Sequence, residues 1–325
     1  MSDPKTPYDP ENEDAPKIPE DEVYSEQERQ RRAAEADMEV QIIDAVRGSG
    51  SGPVTPVKLT NDSRFCFSCH KGVSCWNECC HNTDITLTPY DLLRLARHFE
   101  TRPSKLVQMF TAPAIHDQSG MPIVKLKMVD KGGAKKPCVF LDEKEGCTVY
   151  EDRPAACRYY PLGLAAVKMK GHEEPEDFYF LVREAHCKGH EETKEQSVGQ
   201  FRAEQGVEAY DEQNRGWIHI LMKLASWKFM GGPWGKEPED RVKKLFFMAT
   251  TDPDAFRMFV FNSSFLEKYS IAPEMREELA MNDETLLRLA MDFMRHVLFN
   301  EPTISLKESV LHDAIAKARG GVGGA

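Results

Sequence analysis

Nothing in the 325 residues approaches an apolar run of membrane-spanning length, which excludes a transmembrane helix. The first ten residues, M-S-D-P-K-T-P-Y-D-P, contain no apolar h-region, so the expectation is a chain without a secretory signal that works in the cytoplasm. Basic charge is not in excess. The formal net charge is −11, and residues 1–40 hold thirteen Asp and Glu against five Lys and Arg, leaving forty against thirty-seven for the rest. A nearly balanced body offers no polyanion-binding face, which argues against a nucleic-acid partner. There is no P-loop, no dinucleotide-binding glycine fingerprint, no H-E-x-x-H and no G-x-S-x-G elbow, so the common catalytic signatures are missing. Internal repeats are absent too. Cysteine is missing before Cys66 and after Cys187, so all nine thiols lie in one middle segment.

That distribution divides the chain. Residues 1–53 are proline-rich and acidic, then charged, and end in G-S-G-S-G-P; a disordered acidic tail and linker is expected, with a thin apolar stripe at Val40, Ile43 and Val46 for a marginal helix over 21–46. Residues 54–192 carry the thiols. Thr88-Pro89-Tyr90-Asp91 is a helix start, with Leu92, Leu93, Leu95, Ala96 and Phe99 in helical period behind it, and Ser104 to Phe110 follows as a short helix. Alternation over 121–129, 139–141, 147–150 and 176–183 predicts strands. Residues 193–318 lose cysteine and read as helices near 194–206, 207–229, 238–250, 252–262, 273–281, 283–299 and 308–318, before a loose tail at 319–325. The expected class is α+β: a small cysteine-rich metal-binding domain with short strands, followed by a mainly helical region.

Clustered thiols are gathered by disulfides, by redox pairing or by a metal. An odd cysteine count and the cytoplasmic expectation weigh against disulfides, and a redox pair needs two thiols rather than nine. Metal ligation fits best, because soft thiolates select zinc or iron, including iron–sulfur clusters. The candidate ligands are Cys66, Cys69, Cys75, Cys79, Cys80, Cys138, Cys147, Cys157 and Cys187. Cys66-x2-Cys69 has ligand spacing, and so does Cys187-x2-His190. On an extended backbone Cys79 and Cys80 would point apart, so both serving one mononuclear ion is awkward. Taken singly, His70, His81 and His186 read as surface or hydrogen-bonded residues. Trp76 could lid the site or anchor the loop. Arg153 and Arg158 flank Cys157 and could offset thiolate charge and donate to sulfur, unless Glu151 and Asp152 pair with them. Zinc in closed four-ligand sites and an iron–sulfur cluster fit the thiol count about equally well.

Together the two thiol segments resemble the YkgJ-type cysteine-cluster family of zinc- or iron-chelating domains. The marks are a C-x-x-C element with a later C-C pair, here Cys66 to Cys80, then Cys138, Leu141, Gly146-Cys147, Tyr150, Arg153-Pro154, Cys157-Arg158 and Pro161. The resemblance covers about residues 62–190. It departs from the compact motif at His70 to Glu78, which includes an extra Cys75. It implies a metal-binding protein. A related cluster in flagellin lysine methylases implies the alternative of an iron–sulfur redox or protein-modifying enzyme. The partner expected is a metal ion, with a protein partner reached through the helical region or the acidic tail.

Overall fold

The computed structural model describes residues 54–167, 176–229, 238–310 and 312, all within one unit. The readings made for the acidic tail and linker, for most of the 308–318 helix and for the final tail lie outside these residues. The described fold is α+β, and all its strand pairings are antiparallel.

Strand β1 (Val54–Leu59) opens the unit and β2 (Arg64–Cys66) follows it. After β3 (Thr86–Leu87) comes helix α1 (Pro89–His98). Its start is the predicted capping box: the Asp91 amide donates to Thr88 Oγ1 at 3.1 Å, and the Thr88 amide donates to Asp91 Oδ2 at 2.8 Å. Proline at the first helical position costs nothing, because its missing N–H would have had no partner. Helix α2 (Pro103–Phe110) runs straight into β4 (Thr111–Ile115), and β5 (Pro122–Leu126) pairs with both β4 and β3.

α1 lies between two apolar cores. Leu92, Leu95 and Ala96 join Leu106, Val124, Leu126, Phe140 and Val149 on one side. Tyr90 and Leu93 join the helical core on the other, with Ile220, Phe246, Leu286 and Phe293. Full burial of one such aliphatic side chain stabilises by roughly 1.5–3 kcal/mol, so this single helix binds the thiol-bearing part to the helical part.

The hairpin of β6 (Leu141–Asp142) and β7 (Gly146–Cys147) precedes α3 (Ala155–Tyr159). β8 (Leu162–Val167) pairs with β9 (Glu176–Val182), which also pairs with β1. Where one helix over 194–206 was expected, there is a strand β10 (Glu195–Ser197) and then α4 (Val198–Gln205). The reason is local and long-range at once. Ser197 and Gln200 form a capping box that starts the helix late, and residues 195–197 pair with β2 at Cys66, Phe65 and Arg64.

Helices α5 (Glu208–Phe229), α6 (Asp240–Thr251), α7 (Pro253–Asn262), α8 (Phe265–Lys268), α9 (Pro273–Met281) and α10 (Asp283–Phe299) complete the described chain, close to the predicted spans except for the unpredicted α8. Asn282 caps α10 by accepting from Glu284 and Thr285 amides at 2.9 and 3.2 Å. Among the described residues no helix is long and apolar enough to cross a membrane.

Glu301 ties α5 to α10. Its carboxylate accepts from His219 Nε2 at 3.0 Å, Lys223 Nζ at 2.6 Å and Arg295 Nε at 2.7 Å. Burial pushes this carboxyl up, and hydrogen bonds from Lys223, His219 and Arg295 more than reverse it, holding it at about 2. A carboxylate lowered in the folded state adds stability above its unfolded pKa and loses it as pH falls through the folded one. After allowing for solvent screening, Glu301→Gln is therefore expected to cost about 1–2 kcal/mol at pH 7 and less near pH 3. Urea unfolding at the two pH values checks this. An equal loss at both would rule out the charge as its source.

Candidate metal centre

The first thiol segment is held from beneath by aromatic side chains. Phe65 and Phe67 are buried and alternate with the exposed Cys66. The Phe67 amide donates to the Lys194 carbonyl at 3.0 Å and the Ser68 amide to the Gly189 carbonyl at 3.1 Å, which lays this segment along residues 189–194. Val73 is the buried anchor of the following loop. Asn77 then takes a left-handed φ of 70° and starts a single 3₁₀ turn, Glu78–Cys80. Asparagine tolerates that conformation better than most residues.

The later thiols are drawn to this turn by main-chain bonds. The Cys138 amide donates to the Cys80 carbonyl at 2.7 Å, and the Asn82 amide to the Lys136 carbonyl at 2.9 Å. The Lys188 amide donates to Cys75 Sγ at 3.0 Å, which fixes the Cys187 segment against the first loop. Cys147 ends the β6–β7 hairpin, whose turn is shaped by Asp142 Oδ1 accepting from the Lys144 and Glu145 amides, both at 2.8 Å. Gly146 has φ 92°, and a Cβ there would stand 2.8 Å from the Trp76 ring. Trp76 thus lies on the hairpin beside Cys147, and glycine is required there for both reasons. Cys157 sits on α3, where the Ala155 amide donates to the fully buried Asp91 at 2.8 Å.

All nine cysteines are free thiols. Eight of them act on one another electrostatically as one connected group. Cys69 feels Cys75, Cys79 and Cys187; Cys187 feels Cys75 and Cys79. Cys80 feels Cys157 and Cys138, Cys157 feels Cys138 and Cys147, and Cys138 feels Cys147. Cys79 is common to these links, since it acts on Cys138, Cys147 and Cys157 as well as on Cys69 and Cys187. The divergence expected on an extended backbone does not apply, because Cys79 and Cys80 lie in the 3₁₀ turn, where each acts chiefly on the other. The 3₁₀ turn places them together where an extended backbone would part them. This mutual influence holds Cys79 low and Cys80 high. Cys66 stands apart, exposed on β2 opposite Glu195, and is not a main electrostatic neighbour of the other eight.

Burial is the main cause pushing up Cys69 and Cys138, each to about 11, and it also raises Cys147, Cys157 and Cys187. Amide donors oppose this at three sulfurs in the same way. Phe140, Val149 and Gly189, each two residues on, donate to Cys138, Cys147 and Cys187. Cys69, Cys79 and Cys157 are solvent-exposed. Grouped thiols that resist ionisation yet receive N–H donors suit a cation that takes the place of their protons. Among the described residues no three Cys, His, Asp or Glu side chains stand close enough together to hold one ion as placed.

Arg153 and Arg158 are buried beside this cluster. Their donors go elsewhere than to sulfur or to the adjacent acids. Arg153 donates to the Tyr150 carbonyl at 2.6 Å and to Gln205 Oε1. Arg158 donates to the Arg153 carbonyl at 3.0 Å, the Gln205 carbonyl at 2.7 Å and the Glu151 carbonyl. Arg153 still reaches Cys69 and Cys147 through its charge, favouring both thiolates. Asp152 pairs with Arg94 and His98 instead.

The histidines face outward or into backbone. His70 meets Glu192, His186 meets Glu184, and His81 Nδ1 lies 3.0 Å from the Asn77 carbonyl. His190 Nε2 lies 3.0 Å from the Val182 carbonyl. The sequence reading missed Asp91 and Gln205. The T-x-x-D cap carried a signal for Asp91; Gln205 carried none.

The thiols thus stand on short strands, turns and one short helix around the Cys79–Cys80 turn. Residues 68–188 match the family model CxxCxxCC, described as "Putative zinc- or iron-chelating domain". The match spans between a third and a half of the chain. It begins after Cys66 and takes in the same eight cysteines that interact in the structure. No curated protein and no solved structure matches the chain.

Proposed function

We propose that this domain binds two metal centres, each through four cysteine thiolates. Cys69, Cys75, Cys79 and Cys187 hold one; Cys80, Cys138, Cys147 and Cys157 hold the other. The observation that carries the reading is the gathering of eight interacting sulfurs around the Cys79–Cys80 turn, where Cys79 acts on members of both proposed groups. Four thiolates are the set that a closed zinc site uses, and also the set that anchors an iron–sulfur cluster. Adjacent cysteines then need not share an ion. Arg153 offsets the excess negative charge of the thiolates, and Arg158 braces the turn that carries Cys157. Cys66 is left as a ninth thiol outside both sets.

Anaerobic purification with metal analysis, absorption spectra and thiol counting is the test. Zinc is expected at two atoms per colourless chain, or iron with matching sulfide in a brown one. In either case one thiol, Cys66, reacts readily and eight are protected. A chain that retains less than one metal atom, with all nine thiols reacting alike, would overturn the proposal.

A further inference from the structure

Helix α3 is too short to hold its own shape. It runs for five residues, Ala155–Tyr159, and carries Cys157 in its first turn. Helices far longer than this are marginal in isolation. It also lacks a cap of its own. The residue before it is Pro154, which supplies no side-chain acceptor. The Ala155 amide is one of the donors that a helix start leaves without a partner. That donor is taken up from another element. Asp91 on α1, 64 residues earlier in the chain, accepts it on Oδ1 at 2.8 Å.

Asp91 thus closes two helix starts with one carboxylate. Its Oδ2 accepts from the Thr88 amide at 2.8 Å, which completes the α1 cap. Asp91 is wholly shut off from solvent, and the α1 that bears it is wedged between two apolar cores. The carboxylate therefore stands on a fixed base and passes that fixity to α3. We propose that Asp91 is a positioning residue of the metal-binding cluster: by capping α3 from α1 it sets where Cys157 stands, and so how firmly the thiols keep an ion. This rests on the reading above of Cys157 as a ligand, and it holds whether the eight sulfurs form two centres or one. Charge alone argues the opposite, because a carboxylate repels neighbouring thiolates. A capping role and a charge role therefore predict effects of opposite sign when the group is made neutral. Asparagine keeps one acceptor oxygen but must turn its NH2 toward the other amide, so Asp91→Asn loses a cap and the charge together.

The experiment uses full-length protein with cobalt(II) as the probe ion, competed against a chelator, with circular dichroism and urea unfolding alongside. Asp91→Asn is expected to weaken cobalt affinity roughly tenfold, the scale of losing a group that supports a ligand. In a Cys157→Ser background it is expected to change the affinity no further. Thr88→Val is the control. It removes the hydroxyl that caps α1 and leaves both carboxylate bonds in place, so stability should fall while cobalt affinity stays the same. Unchanged or tighter cobalt binding by Asp91→Asn overturns the inference. So does a Thr88→Val loss of affinity as large as that of Asp91→Asn, or an Asp91→Asn loss undiminished by Cys157→Ser. Amide hydrogen exchange on zinc-loaded wild-type protein tests the same bond without any variant, and so stands even if Asp91→Asn does not fold. Ala155 is expected to be protected like an amide within a helix, and free exchange there overturns the inference. Wild-type protein that takes up no cobalt overturns the ligand reading first, and this inference with it.

Discussion

Arg158→Ala is expected to lower folding stability by about 3–4 kcal/mol, because hydrogen bonds made by a charged group contribute roughly 1.5–3 kcal/mol and several are lost together here. The guanidinium is buried and serves three main-chain carbonyls from separate stretches: Glu151 and Arg153 in the turn before Cys157, and Gln205 at the end of α4. The last is a helix C-terminal carbonyl, where a cation is favoured by both hydrogen bonding and the helix dipole. Its plane also lies over the Tyr210 ring at 4.6 Å, so truncation removes packing along with charge. Gln205 is gripped twice, by its carbonyl to Arg158 and by its side chain to Arg153. The turn carrying Cys157 and the end of α4 are thus one joint. Arg158→Lys keeps the charge but cannot reach three divergent carbonyls, and should recover less than half the loss. Urea midpoints for the two variants decide this. A loss below about 1 kcal/mol for alanine, typical of an exposed residue, would show that the joint is held by something else.

Much of the helical architecture could be read from local chemistry. Thr88 with Asp91 and Asn282 before α10 are caps whose side chains do what their spacing predicts. The stripe Leu286, Leu287, Ala290, Phe293 faces the core as its period requires. Strand β8 was not legible. Its glycine at 163 is there because the Phe180 ring of β9 lies over it, a contact that only the sheet creates. β10 was hidden for a similar reason, since its partner β2 is far away in sequence.

At the thiols, composition and spacing pointed to the residue type but not to its grouping. The argument that Cys79 and Cys80 diverge assumed extended backbone, and one left-handed asparagine undid it. For the arginines, adjacency suggested Glu151 and Asp152 as partners. The guanidinium groups instead took carbonyls, because a short turn with few internal hydrogen bonds leaves acceptors that must find donors.

Serine at Cys69 and serine at Cys157 are expected to remove different ions. A serine hydroxyl stays protonated at neutral pH and is a poor ligand for zinc or iron, so one substitution should open a four-thiolate site. The energy at stake is large, since metal binding in structural thiolate sites amounts to roughly 10 kcal/mol or more and is coupled to folding. If the sulfurs divide at Cys79–Cys80, Cys69→Ser leaves one centre chelator-resistant and Cys157→Ser leaves the other, each keeping half the metal. The double variant keeps none, and Cys66→Ser keeps all. A single eight-thiol assembly would behave differently: each substitution within the eight would drain the whole complement together. Metal content after exposure to a chelator, measured on these four variants, separates the two. The adjacent pair adds an internal check. Cys79→Ser should resemble Cys69→Ser, and Cys80→Ser should resemble Cys157→Ser, although the two sulfurs stand side by side on one turn.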